Sequence, residues 1–402
     1  MKILRSNTVL LLSTSLLSLP FLEAGLRFVE KVKGIKVELR VFQDSAPGPC
    51  ELIPNVHTAI NVGGERVVIS TNSTGMHWRE VAVPKPKNGR RIAFAGDSFT
   101  FGEWANRVEN SFVGIVDSQM SPKGLEILNF GVPGDGLPEM EIRLQKNILV
   151  YQPDYIVVMF YNGNDISETY LGAGKTDCTS GRLRPEIVEN KIPPEFRESF
   201  GQEARTFLNR YSALVRALRF VKGRLFADPR FLDLNDSTIT LSAFRVDNSF
   251  LTASFWSRTA YPPIAEEARD QALRVLERIR HLALRNGAKL IVIAIPFREQ
   301  VYALHETGDD YDVGLPQRYI EQFAKDANVP YYDLLRPLRR YIVACEEMIY
   351  VPSDPHFNTR GHRIVGELIS RFLAHTLASS SEEEEDLRCS NGRLMSNLSG
   401  GQ

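Results

Sequence analysis

The sequence predicts an α/β fold: a doubly wound parallel sheet with a small β-rich lead-in before it and a large insertion inside it. Three observations carry this expectation. Short, continuous apolar runs recur along the chain, amphipathic helical stretches separate them, and each run ends in glycine or polar residues. A strand buried on both faces reads as an unbroken apolar run, unlike the alternating pattern of a half-buried strand.

The runs are Ile92-Ala93-Phe94-Ala95 ending at Gly96, Glu126 to Phe130 ending at Gly131, Tyr155 to Phe160, Lys289 to Ile295, and a shorter one from Val329 to Tyr332. Helical patterns cover residues 138–150, 264–286, 316–327 and 358–377. Strand and helix alternating at this spacing build right-handed βαβ units and a parallel sheet. The rhythm breaks over residues 166–261, where one helix, Glu203 to Lys222, stands among turns. A long irregular stretch inside a compact domain is usually a lid or an inserted subdomain.

Four segments frame the chain: a signal-anchor and following helix over 1–33, the β-rich lead-in over 34–89, the main domain over 90–377, and a polar acidic tail over 378–402. Lys2 and Arg5 precede an apolar run from Val9 to Leu22, a positive region followed by a signal-sized hydrophobic segment. The expectation is an uncleaved membrane anchor with the rest of the chain outside the cytoplasm, or secretion if the segment is cleaved. The tail, from Ser379 onward, is too poor in apolar residues to order itself.

Composition excludes several classes. A formal net charge of -1 over 402 residues offers no basic field for nucleic acid. The four cysteines, Cys50, Cys178, Cys345 and Cys389, form no CxxC pair, and the histidines show no metal-ligand spacing. No metal or cofactor is expected. One disulfide and free thiols are equally consistent with the cysteine count.

Ligands of a doubly wound sheet bind beyond the carboxyl ends of its strands. The first run is followed there by Gly96-Asp97-Ser98-Phe99, the second by Gly131-Val132-Pro133-Gly134, and the third by Asn162-Gly163-Asn164-Asp165. Before the last helix stands Ser353-Asp354-Pro355-His356-Phe357-Asn358. A serine hydroxyl needs a base to remove its proton, and the base needs a third group to orient it. Ser98 on a tight turn, His356 as base and Asp354 as its partner satisfy this need. Asp354 stands two residues before His356, so an extended backbone would point both side chains to one face. Backbone N–H groups at Ser98 and Gly134, with the Asn164 amide, would receive the developing oxyanion. Each block alone also reads as an ordinary turn, and Asn358 as a helix cap. Their conjunction at successive strand ends favours chemistry.

These blocks resemble the SGNH hydrolase superfamily, the GDSL esterases and lipases, across residues 90–377. The matching pieces are Gly96-Asp97-Ser98-Phe99-Thr100-Phe101-Gly102, Asn129-Phe130-Gly131-Val132-Pro133-Gly134, Gly163-Asn164-Asp165, and Asp354-Pro355-His356-Phe357-Asn358 with Gly361-His362. The resemblance implies a flavodoxin-like SGNH fold with Ser98 as nucleophile, His356 as base and Asp354 as acid. It also implies an oxyanion hole of Ser98 N–H, Gly134 N–H and the Asn164 amide, and a structural role for Asp97. The Asp-x-His spacing is similar to the variant in alginate-acetylation proteins. The stretch from Glu23 to Phe28 and Asn72-Ser73-Thr74-Gly75-Met76 resemble membrane-anchored members of bacterial envelopes.

The expected function is a serine esterase that cleaves acyl esters, chiefly acetyl esters, through an acyl-enzyme, with an acylated glycan as candidate substrate. The rivals are a polysaccharide O-acyltransferase using the same triad and a catalytically silent glycan-binding envelope protein. Phe99, Phe101 and Trp104 are candidates for an acyl pocket as well as for core. His362, one turn past His356, is expected on the helix surface or in support of the site.

Overall fold

In the computed structural model, residues 20–29, 41–43, 48–62, 65–178, 182–197, 241–351, 354–377 and 389 are described. The chain divides into two compact units. The smaller comprises Met1–Leu39, Ile60–Arg66 and Glu198–Asp236; its described parts are a helix over 20–29 and short ends of two strands. The larger comprises Arg40–Ala59, Val67–Arg197 and Ser237–Gln402 and holds the parallel sheet and the residues at its carboxyl edge.

The lead-in contributes β1 (Phe42–Gln43) and β2 (Glu51–Leu52), paired antiparallel, and β3 (His57–Val62) with β4 (Glu65–Ser70) as a second two-stranded sheet. The chain then turns on Asn72, whose side-chain oxygen accepts from the N–H groups of Thr74 and Met76 at 3.0 and 2.9 Å. That turn delivers Trp78, whose indole N–H donates to the Ile127 carbonyl at 2.9 Å.

The apolar runs become β5 (Arg90–Gly96), β6 (Leu125–Gly131), β7 (Tyr155–Tyr161), and, after two short strands β8 (Thr176–Asp177) and β9 (Arg182–Leu183), β10 (Lys289–Ile295) and β11 (Tyr331–Asp333). The long strands form one parallel sheet in the order β11-β10-β7-β5-β6. Numbered within the sheet this is 2-1-3-4-5, the flavodoxin-like order, whose switch point lies between its first and third strands, here β5 and β7. Ile92, Phe94, Val157, Val158, Ile291 and Ile293 are wholly buried, as two-sided coverage requires.

The expected helices are present as Leu137–Arg143, Pro263–Arg285, Leu315–Asp326 and Thr359–Leu377. The first is shorter than its apolar pattern: beyond Arg143 the chain widens into a π-turn over Leu144–Ile148 and tightens over Leu149–Tyr151. Helices Phe112–Met120 and Leu335–Cys345 go beyond the sequence expectation. Ser111 caps the former, its side chain accepting from Gly114 N–H at 3.1 Å.

Within the expected insertion, the described residues form helices Asp165–Leu171 and Pro185–Lys191, the β8–β9 pair and the turn Ala253–Ser257. The expected helix Glu203 to Lys222 lies outside the described residues, as do most of the apolar N-terminal run and the tail. Among the described residues no helix is long and apolar enough to cross a membrane. All four cysteines are paired, Cys50 with Cys178 and Cys345 with Cys389. Cys389, within the segment read as a solvated tail, is buried.

The close approach of β6 to the turn after β5 requires glycine at position 131. A Cβ there would run into the backbone of Thr100 and Phe101. Gly131→Ala is expected to cost roughly 1–3 kcal/mol of stability through overpacking, measured by urea denaturation; an unchanged midpoint would show that the turn yields.

Candidate active site

Parallel strands place their carboxyl ends on one edge of the sheet. Here β6, β5 and β7 are neighbours, with Gly131 beside Gly96 and Val158 beside Ala95 in register. The segments that follow them therefore emerge side by side: Gly134 on one flank of Ser98 and Asn164 on the other.

Ser98 opens a single helical turn, Ser98–Phe101. Asp97 caps it, Oδ1 accepting from Phe99 N–H at 2.9 Å, and Gly102 ends it at φ +90°, a left-handed conformation suited to glycine. Ser98 Oγ lies 2.6 Å from His356 Nε2, and His356 Nδ1 lies 2.5 Å from Asp354 Oδ1. A carboxylate only accepts, so Nδ1 carries the imidazole proton and Nε2 is left to accept from the serine hydroxyl.

The structure corrects the route to this arrangement. Asp354, Pro355 and His356 are not extended. They bend, and Asp354 Oδ1 also accepts from the backbone N–H of His356 at 3.0 Å, folding the carboxylate over its own turn. Ser353 lies outside the described residues. Asn358 caps the following helix, accepting from Gly361 N–H at 2.8 Å.

Phe99 and Phe101 are core residues, and the Phe99 ring packs 4.7 Å from the His356 ring. His362 does not face the helix surface; it is wholly buried. Its Nδ1 accepts from Phe112 N–H at 3.3 Å and its Nε2 donates to the Glu103 carbonyl at 2.9 Å. Burial holds it neutral by lowering its pKa to about 4.

Gly134 occupies a left-handed conformation at φ +82° in a turn closed by Asp135 N–H on the Val132 carbonyl at 3.0 Å. Pro133 and Gly134 are the residues a type II turn wants in its middle positions. Asp135 pairs twice with Arg143, at 2.7 and 3.0 Å, and Arg143 also donates to the Cys50 carbonyl. Asn164 directs its amide nitrogen to Glu168 Oε1 at 2.9 Å. Among the described residues no cluster of His, Cys, Asp and Glu could hold a metal ion.

A family model for GDSL-like lipases and acylhydrolases matches residues 92–369. The chain belongs to this family. It is an SGNH-type hydrolase, and the parallel sheet is the fold expected of one. No curated protein matches the sequence. Among solved structures the hydrolase is similar to a two-domain esterase active on acetylated mannans, at 13% identity and TM-score 0.39 over 74% of this chain and 52% of that one. The chain thus spans about half the length of that esterase. It is also similar to a lipase/acylhydrolase from Enterococcus faecalis, at 14% identity and TM-score 0.37 over 73% of this chain and 100% of that one. A third likeness is to an acetyl xylan esterase, at 12% identity and TM-score 0.35 over 69% and 97%.

Two charged residues of this hydrolase were not legible as site residues. Lys175 is wholly buried beside Gly134 and Glu168. Glu103, directly after the matched nucleophile block, places Oε2 3.7 Å from His356 Nε2. Burial raises the Glu103 pKa, and the facing imidazole opposes that. Below the site, burial pushes Asp97 up to about 7 and Asp165 well above the carboxylate range.

Burial by itself lowers the His356 pKa, but Glu103, the Asp354 hydrogen bond and charge, and Asp97 together raise it to about 9. Only neutral imidazole can accept the serine proton. If His356 serves as a base toward Ser98, protonation as pH falls through about 9 would remove it, and kcat/KM should rise about tenfold per unit from pH 6 to 8. Glu103→Gln removes a negative charge facing Nε2, so its acid limb should shift to lower pH. Profiles of kcat/KM on a non-ionising ester check this; coincident limbs would contradict the assigned role of Glu103.

Proposed function

We propose that this GDSL-type hydrolase is a serine esterase in which Ser98, His356 and Asp354 act as nucleophile, base and orienting acid. The observation that carries this reading is the continuous relay from Ser98 Oγ through His356 to Asp354, at 2.6 and 2.5 Å. Ser98 Oγ attacks the acyl carbonyl while its proton passes to His356 Nε2. The oxyanion that forms is received by the Ser98 and Gly134 N–H groups and the Asn164 amide. Collapse returns the Nε2 proton to the departing alcohol and leaves an acyl-serine. Water, deprotonated by the same nitrogen, then attacks and frees the acid.

The finer reading is that the acyl group is acetyl and its carrier a glycan. It rests on the Asp354-Pro355-His356 spacing and its resemblance to alginate-acetylation proteins. We place the enzyme outside the cytoplasm, held by its N-terminal segment. Two disulfides suit an oxidising compartment, and Lys2, Arg5 and the apolar run suit an anchor.

Purified protein incubated with a chromogenic acetyl ester should turn it over, and a fluorophosphonate probe should label Ser98. Ser98→Ala and His356→Ala should each lower kcat by about 10⁴-fold or more. Absence of Ser98-dependent turnover and labelling would instead favour the silent glycan-binding protein. Acyl transfer outpacing hydrolysis when polysaccharide acceptors are added would identify an O-acyltransferase.

A further inference from the structure

Lys175 reaches the sheet edge from the start of the inserted segment, just before β8, and its side chain is wholly buried. An ammonium group has three hydrogens to place, and three acceptors surround this one. Nζ lies 2.8 Å from Glu139 Oε2, 3.3 Å from Glu168 Oε2 and 3.2 Å from the Gly134 carbonyl. Each partner leads back to a strand end. Gly134 belongs to the turn after β6. Glu139 accepts from Gly136 N–H at 3.1 Å and from Gly174 N–H at 3.2 Å, tying that same turn to the inserted segment. Glu168 accepts from the Asn164 amide after β7.

We propose that Lys175 is a positioning residue for oxyanion stabilisation, fixing the Gly134 turn directly and the Asn164 amide through Glu168. The inference rests on the reading of Gly134 and Asn164 as oxyanion donors. The route through Glu168 is chemical as well as geometric. An ionised carboxylate only accepts, so it selects the nitrogen end of the Asn164 amide and leaves that nitrogen's second hydrogen for other use. A protonated Glu168 could donate to the amide oxygen and turn the group around. Burial drives Glu168 toward protonation, and Lys175 is the first group that opposes it. Removing the ammonium would also leave Glu139 and Glu168 facing each other without their shared cation, beside a site where negative charge develops.

A purely structural lysine and a positioning lysine differ in how their loss combines with loss of Asn164. The test is a double-mutant cycle on the full-length protein with a chromogenic acetyl ester: wild type, Lys175→Met, Asn164→Ala and the pair. Lys175→Met should lower kcat and kcat/KM together by about 100-fold with KM nearly unchanged, the mark of an interaction made in the transition state. Asn164→Ala should cost a similar factor in the wild type but less than about threefold on top of Lys175→Met. Equal costs of Asn164→Ala in both backgrounds would overturn the proposal. If Lys175→Met does not fold, Glu168→Gln replaces it with the same expectation and the same contrary result. A wild-type enzyme without Ser98-dependent turnover would instead remove the esterase reading beneath it, an outcome visible before any variant is made.

Discussion

The hydrogen bond between Ser98 and His356 joins residues 258 positions apart, and much of the larger unit serves to make it possible. A bond of 2.6 Å tolerates little displacement of either partner, so both must be mounted on rigid elements. Ser98 is mounted on the end of β5, between two hydrogen-bonded neighbours, and His356 on the segment leading into the helix Thr359–Leu377. That helix packs against Phe112–Met120 through glycine at position 366, where a Cβ would press on Ile115. His362, one turn along the same helix, grips the carbonyl of Glu103 and holds the loop that follows the nucleophile turn. The last helix thus follows directly on His356 and steadies the loop after Ser98.

Charge is the second constraint. The carboxyl edge of the sheet gathers Asp97, Asp135, Asp165 and Glu168, whose pKa values burial raises, and Glu139 is buried there as well. Arg143 and Lys175 answer two of the clusters, one from a core helix and one from the inserted segment. The Cys50–Cys178 disulfide ties the lead-in to the same inserted hairpin. Segments outside the parallel sheet thereby shape the site as much as the strands do.

The sheet was legible because its strands are buried on both faces, and burial on both faces leaves a direct trace in composition. The segments bearing Ser98, Gly134, Asn164 and His356 were legible for a related reason: each is short and follows a strand or precedes a helix. Long-range placement was not. Glu103 and Lys175 lie in polar loops where a solvated charge and a buried one look alike in sequence, and only packing distinguishes them. The helix Leu335–Cys345 is hard to read in sequence because Pro337 stands inside the stretch, where proline commonly marks a break, although Leu335, Leu338, Tyr341 and Ile342 turn inward. The bend at Asp354 was hidden because spacing of two residues fits both an extended strand and a side-chain-closed turn.

Covalent chemistry at one serine is the centre of this account, and the acyl-enzyme is its most direct consequence. Rapid acid quench of the enzyme during turnover of an acetyl ester, followed by peptide mass spectrometry, should find one acetyl group on the peptide containing Ser98. Turnover that proceeds with that peptide unmodified, or with the acyl group on another residue, would contradict it.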